Sequence, residues 1–210
     1  MAMFPMYVDL KGKRCLIVGG GAIAYRKAEI LLRFEADIII IAPETCSSLV
    51  ELEKQDKLKI IRSTYTKNDI NEAYLVVAAT SSMETNERVY EDAVNMNIPV
   101  NVVDDPEKCT FIFPSIVKRG PLTIGISTSG VYPALSKKIR KITEEIFPED
   151  FSEIVEMLAG FRSRVRKSCL TQPEKEHELR NVLEEFYSKG EITPLALNEV
   201  LQRHEEKIRA

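Results

Sequence analysis

The sequence predicts an α/β fold, a parallel sheet wound on both faces by helices, followed by a hairpin-like segment and a small all-helical C-terminal domain. Three observations carry this prediction. Short runs rich in Val and Ile alternate with helical patterns over the first hundred residues. A glycine turn, Gly19-Gly20-Gly21, separates the first run from the first helical pattern. The last sixty or so residues contain helix starts and stops but no strand-like run.

The apolar runs are Cys15–Val18, Asp37–Ala42, Leu58–Ile61, Leu75–Ala79 and Val100–Val103. They are mostly continuous rather than alternating, as expected of strands buried on both faces of a parallel sheet. Between them lie helices predicted at Ala22–Phe34, Thr45–Gln55 and Thr85–Met96. A βαβ succession with right-handed crossovers sets helices on both faces. The pattern changes after Asp104. Residues 111–127 read as two strand-like segments flanking a tight connection at Lys118-Arg119-Gly120-Pro121. A helix over Pro133–Phe147 follows, and Pro148 ends it. Asp150-Phe151-Ser152-Glu153 and Thr171-Gln172-Pro173-Glu174 both resemble capping boxes, the second with Pro in the first turn. Gly190 fits a helix stop, and Thr193-Pro194 starts the last helix.

Bulk properties narrow the class. The chain has 210 residues, 44% of them hydrophobic and 29% charged, with net charge −3. A chain of this size buries roughly 70% of its unfolded surface and needs no disulfide or metal staple. The negative charge argues against a generic nucleic-acid binder. Cys15, Cys46, Cys109 and Cys169 form no C-x-x-C pair, which disfavours a zinc site and suits a reducing compartment. The N-terminus lacks the basic start and apolar core of a signal peptide. The longest apolar run, Ile38 to Pro43, is too short to span a membrane. A cytoplasmic protein is expected.

The glycine turn carries the first functional expectation. Gly19, Gly21 and Ala24 spell G-x-G-x-x-A after a strand and at the start of a helix, the context of a Rossmann-like dinucleotide site. Gly19 permits the tight turn, Gly21 allows a pyrophosphate close to the backbone, and Ala24 lets helix and strand pack closely. The helix N-terminus offers free N–H groups to phosphate. A glycine turn without ligand is the competing reading. Glu44, after Pro43, is the first acid past the second strand and a candidate for the ribose hydroxyls; it reads equally as a solvated acid at a helix start. No Lys or Arg lies at 42–48 to receive a 2′-phosphate, so NAD is expected rather than NADP.

Two further segments are candidates for chemistry. Asn101-Val102-Val103-Asp104-Asp105-Pro106 follows the fifth strand, where ligands of open α/β sheets bind. A carboxylate at Asp104 there would accept a proton while a carbon loses hydride; simple turn chemistry is the alternative. Ile126-Ser127-Thr128-Ser129-Gly130 places hydroxyls before a helix, suited to anion binding or to capping.

These segments together resemble the precorrin-2 dehydrogenase/sirohydrochlorin ferrochelatase family, which includes the amino-terminal part of siroheme synthase. The residues that carry the resemblance begin with Phe4-Pro5, Leu10-Lys11-Gly12-Lys13, Val18-Gly19-Gly20-Gly21 and Arg26-Lys27. They continue with Ala78-Ala79-Thr80, Asn101-Val102-Val103-Asp104, the run Phe111 to Val117, Pro121-Leu122 and Ile126 to Gly130. The match spans roughly the first 145 residues in order. It implies NAD-dependent oxidation of precorrin-2 to sirohydrochlorin, in many members followed by insertion of ferrous iron. It implies a homodimer with a Rossmann domain (1–113), a dimerisation segment (114–148) and a helical C-terminal domain (149–210). By the resemblance Ala22, Ile23, Pro43 and Glu44 contact NAD; with Gly19, Gly21 and Ala24 of the glycine motif and Thr80 they make up the expected cofactor site. Asp104 is the catalytic acid–base residue, and Ser127 or Thr128 lies near the tetrapyrrole. No protein ligand for a metal is expected, and no partner nucleic acid or membrane. A chain ending at 210 leaves no room for the methyltransferase half of the fused enzyme.

A substrate rimmed with carboxylates requires local basic surface. Lys118-Arg119, Lys137-Lys138-Arg140-Lys141 and Arg162-Arg164-Arg166-Lys167 are candidates, against the alternative of solvated faces. His177 and His204 lie in polar tail helices and are poor candidates for iron ligands. The competing function class is a non-enzymatic NAD-sensing domain, which would need the glycine turn but neither Asp104 nor the Phe111–Val117 run.

Overall fold

The computed structural model describes residues 3–209. They form two compact units, one ending at Phe113 and the other beginning at Pro114.

The first unit is a five-stranded parallel sheet. Its strands are β1 (Arg14–Val18), β2 (Asp37–Ile41), β3 (Lys59–Ile61), β4 (Leu75–Ala78) and β5 (Val100–Val102), in the order β3-β2-β1-β4-β5. The helices are α1 (Ala22–Leu32), α2 (Ser47–Lys54) and α3 (Met83–Asn95). Side chains alternate across a strand, and here both sides are apolar. Cys15 and Ile17 join Ile38, Ile40 and Val77 beneath Ala24, Ala28 and Leu31 of α1 and Leu49 of α2. Leu16 and Val18 join Ile41, Val76, Val100 and Val102 beneath Val89 and Ala93 of α3. Two dry faces explain why the strand sequences are continuous apolar runs. Fully burying one such Ile contributes about 1.5–3 kcal/mol.

Helix α3 begins at Met83, before the predicted Thr85. Ser82 is its cap: the hydroxyl accepts the Thr85 N–H at 3.1 Å.

The second unit opens with an antiparallel hairpin, β6 (Ser115–Arg119) and β7 (Leu122–Ile126). Gly120, at φ +54, makes the turn between them. Four helices follow: α4 (Pro133–Ile146), α5 (Phe151–Lys167), α6 (Gln172–Ser188) and α7 (Pro194–Arg209). Phe151, Ile154, Phe161, Val165, Val182, Phe186, Leu197 and Val200 form their core. Phe111 and Phe113, which the sequence groups with the hairpin, instead pack on the core of the first unit.

The Thr171 capping box is present: both the hydroxyl and the backbone N–H of Thr171 engage Glu174 Oε2, at 2.6 and 2.7 Å. The box expected at Asp150 is not. Asp150 is already helical in backbone (φ −69°, ψ −10°), and its side chain accepts no capping hydrogen bond. A cap must stand in extended geometry to reach back to the first turn; here the chain enters α5 through the turn started by Pro148 and Glu149, whose carbonyls accept from Phe151 and Ser152. Among the described residues no helix is long and apolar enough to cross a membrane, and all four cysteines are unpaired.

Candidate functional site

Strand register gathers the candidate residues of the first unit. Val18 pairs with Ile41 on one side and Ala78 on the other, and Ala78 pairs with Val102. The chain therefore leaves β1, β2, β4 and β5 at the same carboxyl edge. Gly19–Gly21, Ala42–Glu44, Ala79–Thr80 and Val103–Asp104 all emerge there. Strand order reverses between β1 and β4, the place where open α/β sheets hold ligands.

The glycine turn is shaped by close backbone approach. Gly19 has φ +127°, and a Cβ there would lie 2.2 Å from the Ala79 carbonyl oxygen. A Cβ on Gly20 would lie 2.0 Å from the Glu44 carbonyl oxygen. Sequence reasoning left Gly20 as the variable position of the motif. The structure makes it obligatory, because its own carbonyl accepts the Cys46 N–H at 2.8 Å and draws the β2–α2 loop against it. Gly21 is different: it is the extended N-cap of α1, and a Cβ there would meet nothing within 4 Å. The space beside Gly21 is open, and the first-turn N–H groups of α1, including those of Ala22 and Ile23, border it. Ala24 is fully buried against the sheet. A tight turn, an open cradle and free N–H groups suit the pyrophosphate of a dinucleotide.

Two loops flank the cradle. Pro43 and Glu44 are exposed at the end of β2. Arg62, beyond β3, is held by Glu53 at 2.6 Å, so it is not a spare cation for a 2′-phosphate. At the end of β4, Thr80 is pinned by Asn86 of α3. Its N–H donates to Asn86 Oδ1 at 3.2 Å, and Asn86 Nδ2 donates to its carbonyl at 3.1 Å. Nothing in the sequence marks Asn86, because its role depends on α3 folding back beside the β4 loop.

Asp104 ends the β5 side. It is exposed, has φ +61°, and follows Val103, whose N–H donates to the Ala78 carbonyl. The left-handed conformation is uncommon outside glycine, though Asp tolerates it better than most. No hydrogen bond or ion pair among the described residues engages its carboxylate. Asp105 is engaged instead: its carboxylate meets Lys108 Nζ at 3.4 Å, and its carbonyl accepts from Cys109 Sγ at 3.3 Å. The segment that follows is stitched back onto β5. Thr110 Oγ1 accepts the Val100 N–H at 2.8 Å, and buried Asn101 donates to the Phe111 carbonyl at 3.1 Å. The turn therefore separates two adjacent carboxylates into one that holds structure and one that faces solvent.

Ser127 and Thr128 lie in the second unit, after β7. Ser127 Oγ accepts the Ser129 N–H at 2.9 Å, and Thr128 Oγ1 accepts the Tyr132 N–H at 3.2 Å. Buried Ser136 also donates to Thr128 Oγ1. These contacts are those of a turn and a helix entry. Of the basic candidates, Arg119 is corrected: it is buried, and its Nε donates to the Phe147 and Pro148 carbonyls at 2.8 and 3.0 Å. It ties the hairpin to the α4–α5 junction because its guanidinium points inward from a strand. Arg140 pairs with Glu144 and Arg164 with Glu205. Lys137, Lys138 and Lys141 are exposed. His204 is buried between two carboxylates, Nδ1 at 2.5 Å from Glu178 and Nε2 at 2.8 Å from Glu185. It joins α7 to α6. His177 is exposed on α6.

Residues 6–115 match the model of a family described as putative NAD(P)-binding. The siroheme synthase of Pseudoalteromonas translucida is 41% identical over 167 residues, 80% of this chain and 35% of that protein. That of Photorhabdus laumondii is 33% identical over 208 residues, 99% of this chain and 43% of that protein. The chain thus spans about a third of the length of the first curated relatives it matches. Among solved structures, SirC, a precorrin-2 dehydrogenase, superposes with a TM-score of 0.78 at 25% identity, covering 97% of this chain and 100% of that one.

Proposed function

Since this chain belongs to the putative NAD(P)-binding family that its residues 6–115 match, we propose that it is an NAD-dependent precorrin-2 dehydrogenase of siroheme biosynthesis, working in the cytoplasm as a homodimer. The observation that carries the reading is the end-to-end likeness to SirC, which covers both units rather than the nucleotide-binding one alone. It is supported by the exposed Asp104 carboxylate at the same sheet edge as the glycine cradle.

NAD, when bound, supplies the acceptor for the hydride. The chain's residues do the rest. Gly19 and Gly20 hold the turn, Gly21 leaves room for the pyrophosphate, and the Ala22 and Ile23 N–H groups point their partial positive charge at it. Ala24 keeps α1 close to β1. Pro43, Glu44 and Thr80, at the same edge of the sheet, would hold the rest of the cofactor. Asp104 takes the proton that precorrin-2 releases as its carbon loses hydride, so that one hydride and one proton leave and sirohydrochlorin forms. The same carboxylate would accept ring N–H protons if ferrous iron is inserted afterwards. Ser127 and Thr128 are assigned to the carboxylates of the tetrapyrrole.

Assembly is supported by α4. Leu135, Ile139, Ile142 and Ile146 recur at helical spacing and are 37–57% exposed. Such a stripe is costly to leave in water, and a second copy of the hairpin and α4, related by a twofold axis, would cover it.

Anaerobic turnover of precorrin-2 with NAD, followed by absorbance, tests the reading. NADH and sirohydrochlorin should appear together, and added ferrous iron then reports on chelation. NAD binding without NADH formation would favour the NAD-sensing domain instead.

A further inference from the structure

Lys27 is a cation of the first unit that the reaction scheme does not use. It lies on α1, just past the glycine turn, yet no hydrogen bond or ion pair among the described residues joins it to a carboxylate. Its Nζ sits 3.8 Å from the centroid of the Phe113 ring. Phe113 and its ring neighbour Phe111, 5.3 Å away, belong to the segment that returns from the Asp104 turn. The titratable group facing Lys27 from that segment is Cys109, whose Sγ is 3.3 Å from both the Val102 and Asp105 carbonyls. On its own helix the neighbouring charge is Arg26.

Such a placement disfavours the charge it carries. Burial, with Arg26 adding to it, pushes the Lys27 amine down to about 8; the smaller opposing pull of Cys109 requires its thiolate. Burial likewise pushes the Cys109 thiol up, so it offers no thiolate as counter-ion at neutral pH. An aromatic face attracts an ammonium but does not neutralise it. A methionine would fill the same volume without a buried charge. The lysine is thus a partly desolvated cation lacking a counter-ion, at the edge of the segment that carries Asp104.

We propose that Lys27 anchors a carboxylate of the substrate, received on the side of the ammonium away from Phe113. The proposal rests on the reading that the substrate is a carboxylate-rimmed tetrapyrrole. It adds a binding residue that the basic runs of the sequence did not suggest. An arriving carboxylate supplies the missing counter-charge and favours the protonated amine, so binding is strongest where Lys27 is charged and weakens as pH rises through about 8.

Titration of the whole protein with sirohydrochlorin as probe, followed by absorbance from pH 7 to 9.5, tests this. Parent affinity should fall across that range. Lys27→Met should weaken binding tenfold or more at pH 7 and abolish the pH dependence. Lys27→Arg should retain binding and extend it to high pH. NAD affinity should be equal in all three, and Lys27→Met should melt no lower than the parent, because an apolar side chain replaces a desolvated charge. Lys27→Met with parental sirohydrochlorin affinity and pH profile overturns the anchor and leaves the reaction standing. Loss of NAD affinity in Lys27→Met also overturns it, by assigning the lysine to the cofactor. A parent protein that binds no tetrapyrrole at any pH overturns the reaction and the anchor together.

Discussion

Asp104 and Asp105 show how little separates a carboxylate engaged in structure from one left facing solvent. Adjacent in sequence, they part because Asp104 takes a left-handed backbone while the Asp105 carboxylate, at the entry of the following turn, meets Lys108. Asp104→Asn keeps the volume and removes the base. It should leave NAD binding intact and lower precorrin-2 oxidation by about 10²–10⁴, the usual worth of general-base help. Asp105→Asn should change turnover far less; the reverse ranking in steady-state assays would give the proton to Asp105. The glycines divide in the same way. Gly20→Ala collides with the Glu44 carbonyl and should lower both the melting temperature and NAD affinity. Gly21→Ala meets no protein atom within 4 Å and should melt with the parent, whereas Gly21→Asp should fold but lose NAD by putting a carboxylate against the pyrophosphate. A folded Gly21→Asp protein with parental NAD affinity, measured by calorimetry, would remove the cradle from the cofactor site.

Among the elements, the pairing of α6 with α7 depends on buried polar chemistry. His204 is 1% exposed and touches a carboxylate with each ring nitrogen. His204→Leu would leave Glu178 buried without its partner. A loss of about 1–3 kcal/mol is expected, the usual consequence of leaving a buried hydrogen-bonding group without its partner, read from urea denaturation of the helical signal. The hydrogen bond from His204 holds the Glu185 carboxyl below the ordinary glutamate range, against a smaller cost of burial, with Arg203 helping. A carboxyl lowered on folding stabilises fully above its unfolded value of about 4.3, and that contribution is lost as pH falls through the folded value. Acid titration followed by circular dichroism should therefore show Glu185→Gln less sensitive than the parent below about pH 4.3. Equal acid sensitivity would remove Glu185 from the clamp.

At the scale of the molecule, the exposed stripe on α4 bears on assembly. A helix that presents Leu135, Ile139, Ile142 and Ile146 to solvent has the pattern of an element awaiting a partner. The parent should scatter light as a dimer at micromolar concentration. The double variant Ile139→Glu/Ile142→Glu should scatter as a monomer, with its helical content kept, since neither position lies in the core of its unit. Parent and variant of equal mass would place the interface elsewhere.

The α/β character of the first unit, the glycine turn and the succession of three tail helices were legible in the sequence, because each rests on local pattern. Continuous apolar runs mark two-sided burial, G-x-G-x-x-A marks a strand turning into a helix, and Thr171 with Glu174 forms its cap within four residues. Contacts between segments distant in sequence were not legible. Gly20 is obligatory because the Glu44 carbonyl approaches it, and Arg119 is structural because its strand points it at the Phe147 and Pro148 carbonyls. The Asp150 box failed for a local reason that composition hides, a cap position already in helical geometry. The sequence by itself determined which stretches are strand, turn and helix, since periodicity and turn chemistry act over a few residues. Tertiary structure alone decided which side chains meet at the carboxyl edge of the sheet, because that follows from strand order and register, and these place residues distant in the chain within a few ångströms of one another.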